Sequence, residues 1–280
     1  MQPLVSPDWL AARLDDAGLR LIDLRVAADG GRATYLEAHV PGAVYSDYAG
    51  DGWRQRVGNA PGLLPDTAHL STLFGKLGIT PVHHVVLIPF GSSANDLGAS
   101  ARAYWTLRMC GHATVSILNG GSRGWAKSGR PTESGERPAP AAPPYPIGAP
   151  LALRRSADEV LAAINAGSAL TLDARSGSYF EGREKAPEAK AAGHIPGAIS
   201  RDYAGAFDTE TGALRPIDDL RRYYAQASGA PVISYCNTGH SAALNWFVLS
   251  ELLGQPDVSL YDGSMTDWTQ DEMRPVIRHD

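Results

Sequence analysis

Four stretches of this chain occur twice, so whatever it folds into must accommodate two copies of one pattern. Leu21-Ile22-Asp23-Leu24-Arg25 returns as Thr171-Leu172-Asp173-Ala174-Arg175, and His39-Val40-Pro41-Gly42-Ala43-Val44 returns as His194-Ile195-Pro196-Gly197-Ala198-Ile199. Asp47-Tyr48-Ala49-Gly50 recurs as Asp202-Tyr203-Ala204-Gly205 at the same offset from the preceding motif. Near the end of each half, Asn119-Gly120-Gly121-Ser122-Arg123-Gly124-Trp125 parallels Tyr261-Asp262-Gly263-Ser264-Met265-Thr266-Asp267-Trp268. Repeats this far apart describe two domains and not a solenoid of short units. A chain of 280 residues is comfortable for two domains.

Between the copies, residues 131–150 are rich in Pro, Ala and Gly with little apolar periodicity. Such a segment favours extended, polyproline-like backbone and wraps or spaces without packing as an element. We therefore expect a first domain over 1–130, a linker over 131–150 and a second domain over 151–280.

Each half alternates short strands with helices. In the second half, Ser156 with Glu159 three residues on reads as a capping box opening a helix to Ala166. Ala169–Asp173, Val232–Tyr235 and Val258–Tyr261 read as strands, and Ile217–Ala227 as a helix. A further helix is predicted over Ser241–Leu253, ended by Gly254. Alternation of this kind predicts an α/β fold, each domain a parallel sheet flanked by helices.

A hydrophobic content of 44% with 20% charged residues predicts a sizeable core. No apolar run is long enough to span a bilayer, and the amino terminus shows no secretory pattern, so a cytoplasmic protein is expected unless a leader has been removed. A net charge of −5 argues against nucleic acid as the main partner but not against a small anion. The two cysteines, one in each half, make no disulfide framework, and no cysteine–histidine spacing suggests a metal. Neither a metal nor an organic cofactor is expected.

The run Cys236-Asn237-Thr238-Gly239-His240-Ser241-Ala242 says most about chemistry. It follows a short apolar strand and leads into a helix, beyond the carboxyl end of a strand, where sites in such sheets lie. Unpaired N–H groups and the helix dipole favour negative charge there, and hence a thiolate or an anion approaching it. Small and turn-forming residues let several N–H groups converge as an anion nest. Cys110, by contrast, ends a helix closed by Gly111 and reads as buried core. His240 either meets an anion or points to solvent or the other domain. Asp173 and Arg175 read as a structural ion pair. His39 and His194 read as turn residues, and Trp125 and Trp268 as packing.

Together these motifs resemble the tandem rhodanese-domain sulfurtransferases, over nearly the whole chain. The resemblance rests on Asp-x-Arg after the first core strand of each half, on His-[Ile/Val]-Pro-Gly-Ala, on Cys-x-x-Gly-x-Ser-Ala and on the closing Gly-x-x-x-x-Trp. It implies catalysis by the second domain alone, the first being structural and forming one wall of a cleft. The first copy agrees, reading Val85–Asp96 with no cysteine.

The implied reaction is sulfur transfer: the Cys236 thiolate takes the outer sulfur of an anionic donor and yields it to a thiol or cyanide acceptor. The N–H groups of Asn237, Thr238, Gly239, His240, Ser241 and Ala242 would hold persulfide and sulfite, with Arg183 a further anion ligand. Members preferring mercaptopyruvate carry Cys-Gly-Ser-Gly loops and a carboxylate-gripping arginine where this chain has Tyr179, so thiosulfate is the expected donor and 3-mercaptopyruvate the alternative. A persulfide relay to a partner protein is the third reading. The cell-cycle phosphatases that share this architecture need a longer loop closed by an arginine, which Ser241-Ala242-Ala243 does not supply. A monomer is expected.

Overall fold

In a computed structural model, described over residues 2–149 and 151–279, the chain forms two compact units. The first gathers Met1–Trp53, Pro65–Leu151 and Phe207–Leu214; the second gathers Arg54–Leu64, Ala152–Ala206 and Arg215–Asp280. Each unit thus includes one short segment from the other half of the sequence. The strands are, in chain order, β1 (Leu4–Val5), β2 (Leu19–Asp23), β3 (Val44–Tyr45), β4 (Gln55–Val57), β5 (Ala60–Leu63) and β6 (His84–Ile88). They continue as β7 (Val115–Leu118), β8 (Leu170–Asp173), β9 (Ile199–Ser200), β10 (Phe207–Asp208), β11 (Ala213–Leu214), β12 (Val232–Tyr235) and β13 (Val258–Leu260).

The first unit is built on a parallel sheet ordered β1-β7-β6-β2-β3. Its central strand β6 buries Val85, Val86, Leu87 and Ile88 without alternation, as a strand covered on both faces must. Leu10, Val40, Val86, Leu118 and Trp125 share one side of it. The segment expected over 131–150 to space the domains belongs, over its described residues 131–149, to this unit and packs on it. The Tyr145 N–H donates to Ser71 O (2.9 Å), and its buried ring meets Phe74 edge-on. Its hydroxyl lies 2.9 Å from His112 Nδ1. Pro150, with Met1 and Asp280, lies outside the described residues.

The second unit carries a parallel sheet ordered β13-β12-β8-β9, and its core of Val160, Ile195, Ile233, Met265 and Trp268 repeats the first. The capping box is formed: Ser156 Oγ accepts from Glu159 N–H, and the Glu159 carboxylate accepts from Ser156 N–H. The helix expected over Ser241–Leu253 is α-helical only to Trp246 and widens into a π-helix over Phe247–Leu252, so that Leu253 N–H reaches Val248 O (2.9 Å). Apolar spacing over so few residues does not separate 3.6 from a wider turn. Likewise the helix read over Ile217–Ala227 stops at Tyr223 and resumes as a 3-10 turn over Ala225–Ala227. No helix of the described residues is long and apolar enough to cross a membrane.

The antiparallel hairpin β4–β5 is part of this second unit. Asp262, fully buried, accepts from Leu64 N–H at 2.7 Å and from Arg154 Nε at 2.8 Å. Asn59 Nδ2 donates to Gln270 Oε1 (3.0 Å), and Arg56 pairs with Glu188 at 3.6 Å.

Candidate active site

Cys236 stands at the carboxyl end of β12 and is 2% exposed. Asn237, Thr238, His240 and Ser241 are half-buried, Gly239 and Ala242 buried, and the helix begins at Ser241. The sequence-local part of the expected site therefore comes together as one turn between strand and helix. Among the described residues, the Asn237 and Thr238 backbone N–H groups donate to no protein acceptor. Gly239 differs, because its N–H donates to Ser264 Oγ (3.1 Å). Its φ of +69° is one that glycine adopts without strain.

Ser264 is one residue that sequence reasoning missed. Its buried hydroxyl oxygen also accepts from Cys236 N–H (3.0 Å), donates to Tyr261 O (2.8 Å) and lies 4.0 Å from Cys236 Sγ. Met265 N–H donates to Cys236 O, and Thr266 N–H to Asn237 O, both at 3.1 Å. The loop that begins with Cys236 is thus laced to the short helix Ser264–Trp268. Ser264 has φ +53°, a left-handed conformation uncommon for a residue with a Cβ. Strain of this kind persists where the surroundings use it.

Beneath the loop, the buried carboxylate of Asp173 accepts from Arg175 Nε (2.9 Å) and Nη2 (2.5 Å), and Arg175 Nη2 also donates to Gly193 O (2.8 Å). This is the structural pair expected. Its other face matters more: Arg175 Nη1 lies 3.4 Å from Asn237 Oδ1. Burial pulls the Arg175 pKa down, but the hydrogen bond and charge of Asp173 outweigh it, with Tyr235 and Cys236 adding, and the pKa rises. A permanent cation therefore sits in electrostatic reach of Sγ. Tyr203, half-buried, hydrogen-bonds Ser241. Burial raises its hydroxyl pKa, the Ser241 hydrogen bond opposes that, and the Cys236 charge adds to the rise.

Arg183 stands apart from this cluster, its side chain 65% exposed and ion-paired with Glu181. The Tyr179 ring centroid is 6.0 Å from the Arg175 guanidinium carbon. His194 is committed to the turn: Nδ1 lies 2.8 Å from Phe180 O and the ring stacks on Phe180. His39 does the same with Tyr35 in the first unit. Among the described residues no group of three or more His, Cys, Asp or Glu side chains is placed to hold a metal ion.

The first unit shows what the loop becomes without a nucleophile. Ser122 N–H donates to Pro89 O and Arg123 N–H to Phe90 O, both 2.9 Å, so Pro89 stands where Cys236 does and Gly121 where Ser264 does. The loop's N–H groups are taken by the chain's own carboxylate: Asp96 Oδ1 accepts from Phe90 (2.9 Å) and Oδ2 from Gly91 (2.7 Å). Burial nevertheless pushes the Asp96 carboxyl up to about 7, those two bonds opposing it.

Comparison with known proteins agrees with this geometry. A family model described as "Rhodanese-like domain" matches residues 6–128 and again 156–271. The thiosulfate sulfurtransferase of Rattus norvegicus is 32% identical over 95% of this chain and 91% of its own. A putative thiosulfate sulfurtransferase 1 of Mycobacterium bovis is 32% identical over 95% and 94%. Among solved structures, the 3-mercaptopyruvate sulfurtransferase SseA from Escherichia coli superposes with a TM-score of 0.77 at 28% identity, covering 94% of this chain and 99% of that one. With the family model matching most of its length in two successive copies, this chain belongs to the rhodanese-like domain family.

Proposed function

We propose that this chain is a sulfurtransferase that loads the outer sulfur of thiosulfate onto Cys236 and passes it to cyanide or a thiol. The Cys236 thiolate attacks the outer sulfur; the new S–S bond forms as the S–S bond of thiosulfate breaks, and sulfite leaves with the electron pair. The resulting persulfide anion then yields its terminal sulfur to the acceptor, giving thiocyanate from cyanide and restoring the thiolate. One difficult transfer becomes two easier ones.

The observation that carries this reading is the placement of Cys236 Sγ at a strand end, in a loop with uncommitted N–H groups at Asn237 and Thr238 and with the buried Arg175 cation below. Preorganised N–H groups and a desolvated cation favour the negative charge that moves from thiolate to leaving sulfite. Asn237, Thr238, His240, Ser241 and Ala242 are assigned to hold that anion, and Gly239 shapes their loop. Arg183 is the outer cation for the donor, reached once it leaves Glu181. Thiosulfate is favoured over 3-mercaptopyruvate because Tyr179 occupies the place of a carboxylate-gripping arginine. Both cysteines are free thiols, which suits the reducing cytoplasm.

The test is thiocyanate production from cyanide, with thiosulfate and 3-mercaptopyruvate compared at equal concentration, in the wild type and in Cys236→Ala. A thiosulfate preference lost in the variant is expected. Activity that survives in Cys236→Ala would remove the nucleophile, and a mercaptopyruvate preference would reverse the donor assignment.

A further inference from the structure

The hairpin β4–β5 arrives from the first half of the sequence yet packs as part of the second unit, and its Gly62 stands directly against the loop of Cys236. A Cβ built on Gly62 would lie 1.9 Å from the Thr238 carbonyl oxygen and 2.7 Å from the carbonyl carbon. No side chain fits there, so the Gly62 backbone itself is the surface that the Thr238 carbonyl meets. Gly62 is buried, and φ is not what demands glycine at this position; the close approach is.

The neighbouring constraint acts on the other side of the same peptide group. In a trans peptide the C=O and N–H point in opposite directions, and the chain has no cis peptide bonds among the described residues. The Thr238 carbonyl is directed at Gly62 while the Gly239 N–H donates to Ser264 Oγ, which lies 4.0 Å from Sγ. The peptide is therefore held at both ends, with its N–H on the side of the nucleophile. A flipped peptide would instead turn a carbonyl dipole toward an anion. Asp262 anchors the hairpin in this position through Leu64 N–H, from the residue two before Ser264.

We propose that Gly62 is a positioning residue for the nucleophile: its backbone and Ser264 Oγ clamp the Thr238–Gly239 peptide so that the loop presents N–H groups, and not a carbonyl, to the anion at Cys236. The inference deepens the sulfurtransferase reading and rests on it for the turnover measurement only.

The experiment compares Gly62→Ala with Gly58→Ala in the full chain. Gly58 lies in the same hairpin turn with nothing within 4 Å of its Cβ position but with φ +58°, so Ala there strains the hairpin without touching the loop. Two quantities are read: the rate and pH profile of Cys236 alkylation by iodoacetamide, which needs no sulfur donor, and the kcat and KM for thiosulfate. Gly62→Ala is expected to lower kcat at least tenfold, since a turned carbonyl opposes the anion that the Asn237 and Thr238 N–H groups stabilise, with KM changed less than threefold. It is also expected to shift the alkylation profile toward higher pH, while Gly58→Ala keeps both within twofold. Unchanged alkylation and kcat in Gly62→Ala overturn the proposal, as does an equal loss in Gly58→Ala. Should Gly62→Ala fail to fold, amide exchange in the wild type decides. Gly239 N–H should exchange at least a hundredfold more slowly than an open loop, and open-loop exchange there overturns the clamp. If thiosulfate turnover is absent altogether, the alkylation arm still judges Gly62 independently of the donor.

Discussion

Replacing Ser264 by Ala and by Gly separates two effects that the structure superimposes. Both variants remove Oγ and leave the buried N–H groups of Cys236 and Gly239 without their acceptor. An unsatisfied buried donor costs about 1–3 kcal/mol, so the two losses together come to about 2–6 kcal/mol. The backbone at φ +53° adds a second term. A Cβ in the left-handed region costs roughly 1–2 kcal/mol, which Ala keeps and Gly relieves. Glycine gives back about 0.4–1 kcal/mol through the greater entropy of its unfolded chain. Ser264→Gly should therefore be the more stable variant by about 1 kcal/mol, although it is the more drastic truncation. The first unit supports the sign, since Gly121 occupies the equivalent position at φ +61°. Urea titrations of both variants, paired with thiosulfate turnover, test this directly. Ala matching or exceeding Gly in stability would refute the strain argument. Full turnover in both would refute the role of Oγ in holding the loop.

Asp173→Asn leaves Arg175 charged and buried without its carboxylate, and should cost about 3–5 kcal/mol by denaturation; a loss under about 1 kcal/mol would mean the site is wetter than its burial implies. Burial pushes the Cys110 thiol up to about 12, so native protein alkylated at pH 7.5 and mapped by mass spectrometry should carry label on Cys236 and almost none on Cys110. Burial lowers the His112 pKa to about 4, against about 6.5 when unfolded. The unfolded chain then binds the proton first, and the contribution is full above about pH 6.5 and lost as pH falls through about 4, by about 3 kcal/mol. Asp96, raised to about 7, acts in the opposite sense over the same range, so the informative quantity is the wild-type stability minus that of His112→Asn, followed from pH 7 to 4. A difference that does not change with pH would show that His112 takes up its proton equally in the folded and unfolded states.

What was legible in the sequence was what is local or duplicated. Val232–Tyr235 reads as a buried strand because every residue is apolar or small, and the capping box at Ser156 declares itself within four positions. Cys236 was legible because the strand, the turn and the helix that define it are contiguous. Gly62 and Ser264 were not, since each acquires its role from a loop residue remote in sequence. Ser264 left one faint signal. Aligning the halves on Trp125 and Trp268 sets it opposite Gly121, and serine at a glycine position asks for a reason. Tyr203 was hidden by the duplication itself, because Asp-Tyr-Ala-Gly also occurs in the half without a nucleophile and so reads as scaffold. The π-helix over Phe247–Leu252 had no signature in apolar spacing at all.

The exchange of short segments between the units also imposes an order on synthesis. The hairpin Gln55–Leu63 leaves the ribosome about 170 residues before the loop on which Gly62 rests. At roughly 5–20 residues per second, that is a wait of about ten to thirty-five seconds. Until Glu188 is made the hairpin lacks even its Arg56 partner, and an isolated hairpin is marginal in water. A gene fragment starting at the second copy would encode Cys236, Arg175 and Ser264, yet the finished loop would lack the surface that Gly62 supplies from the first copy. The chain cannot be split at its repeat boundary without dividing the second unit.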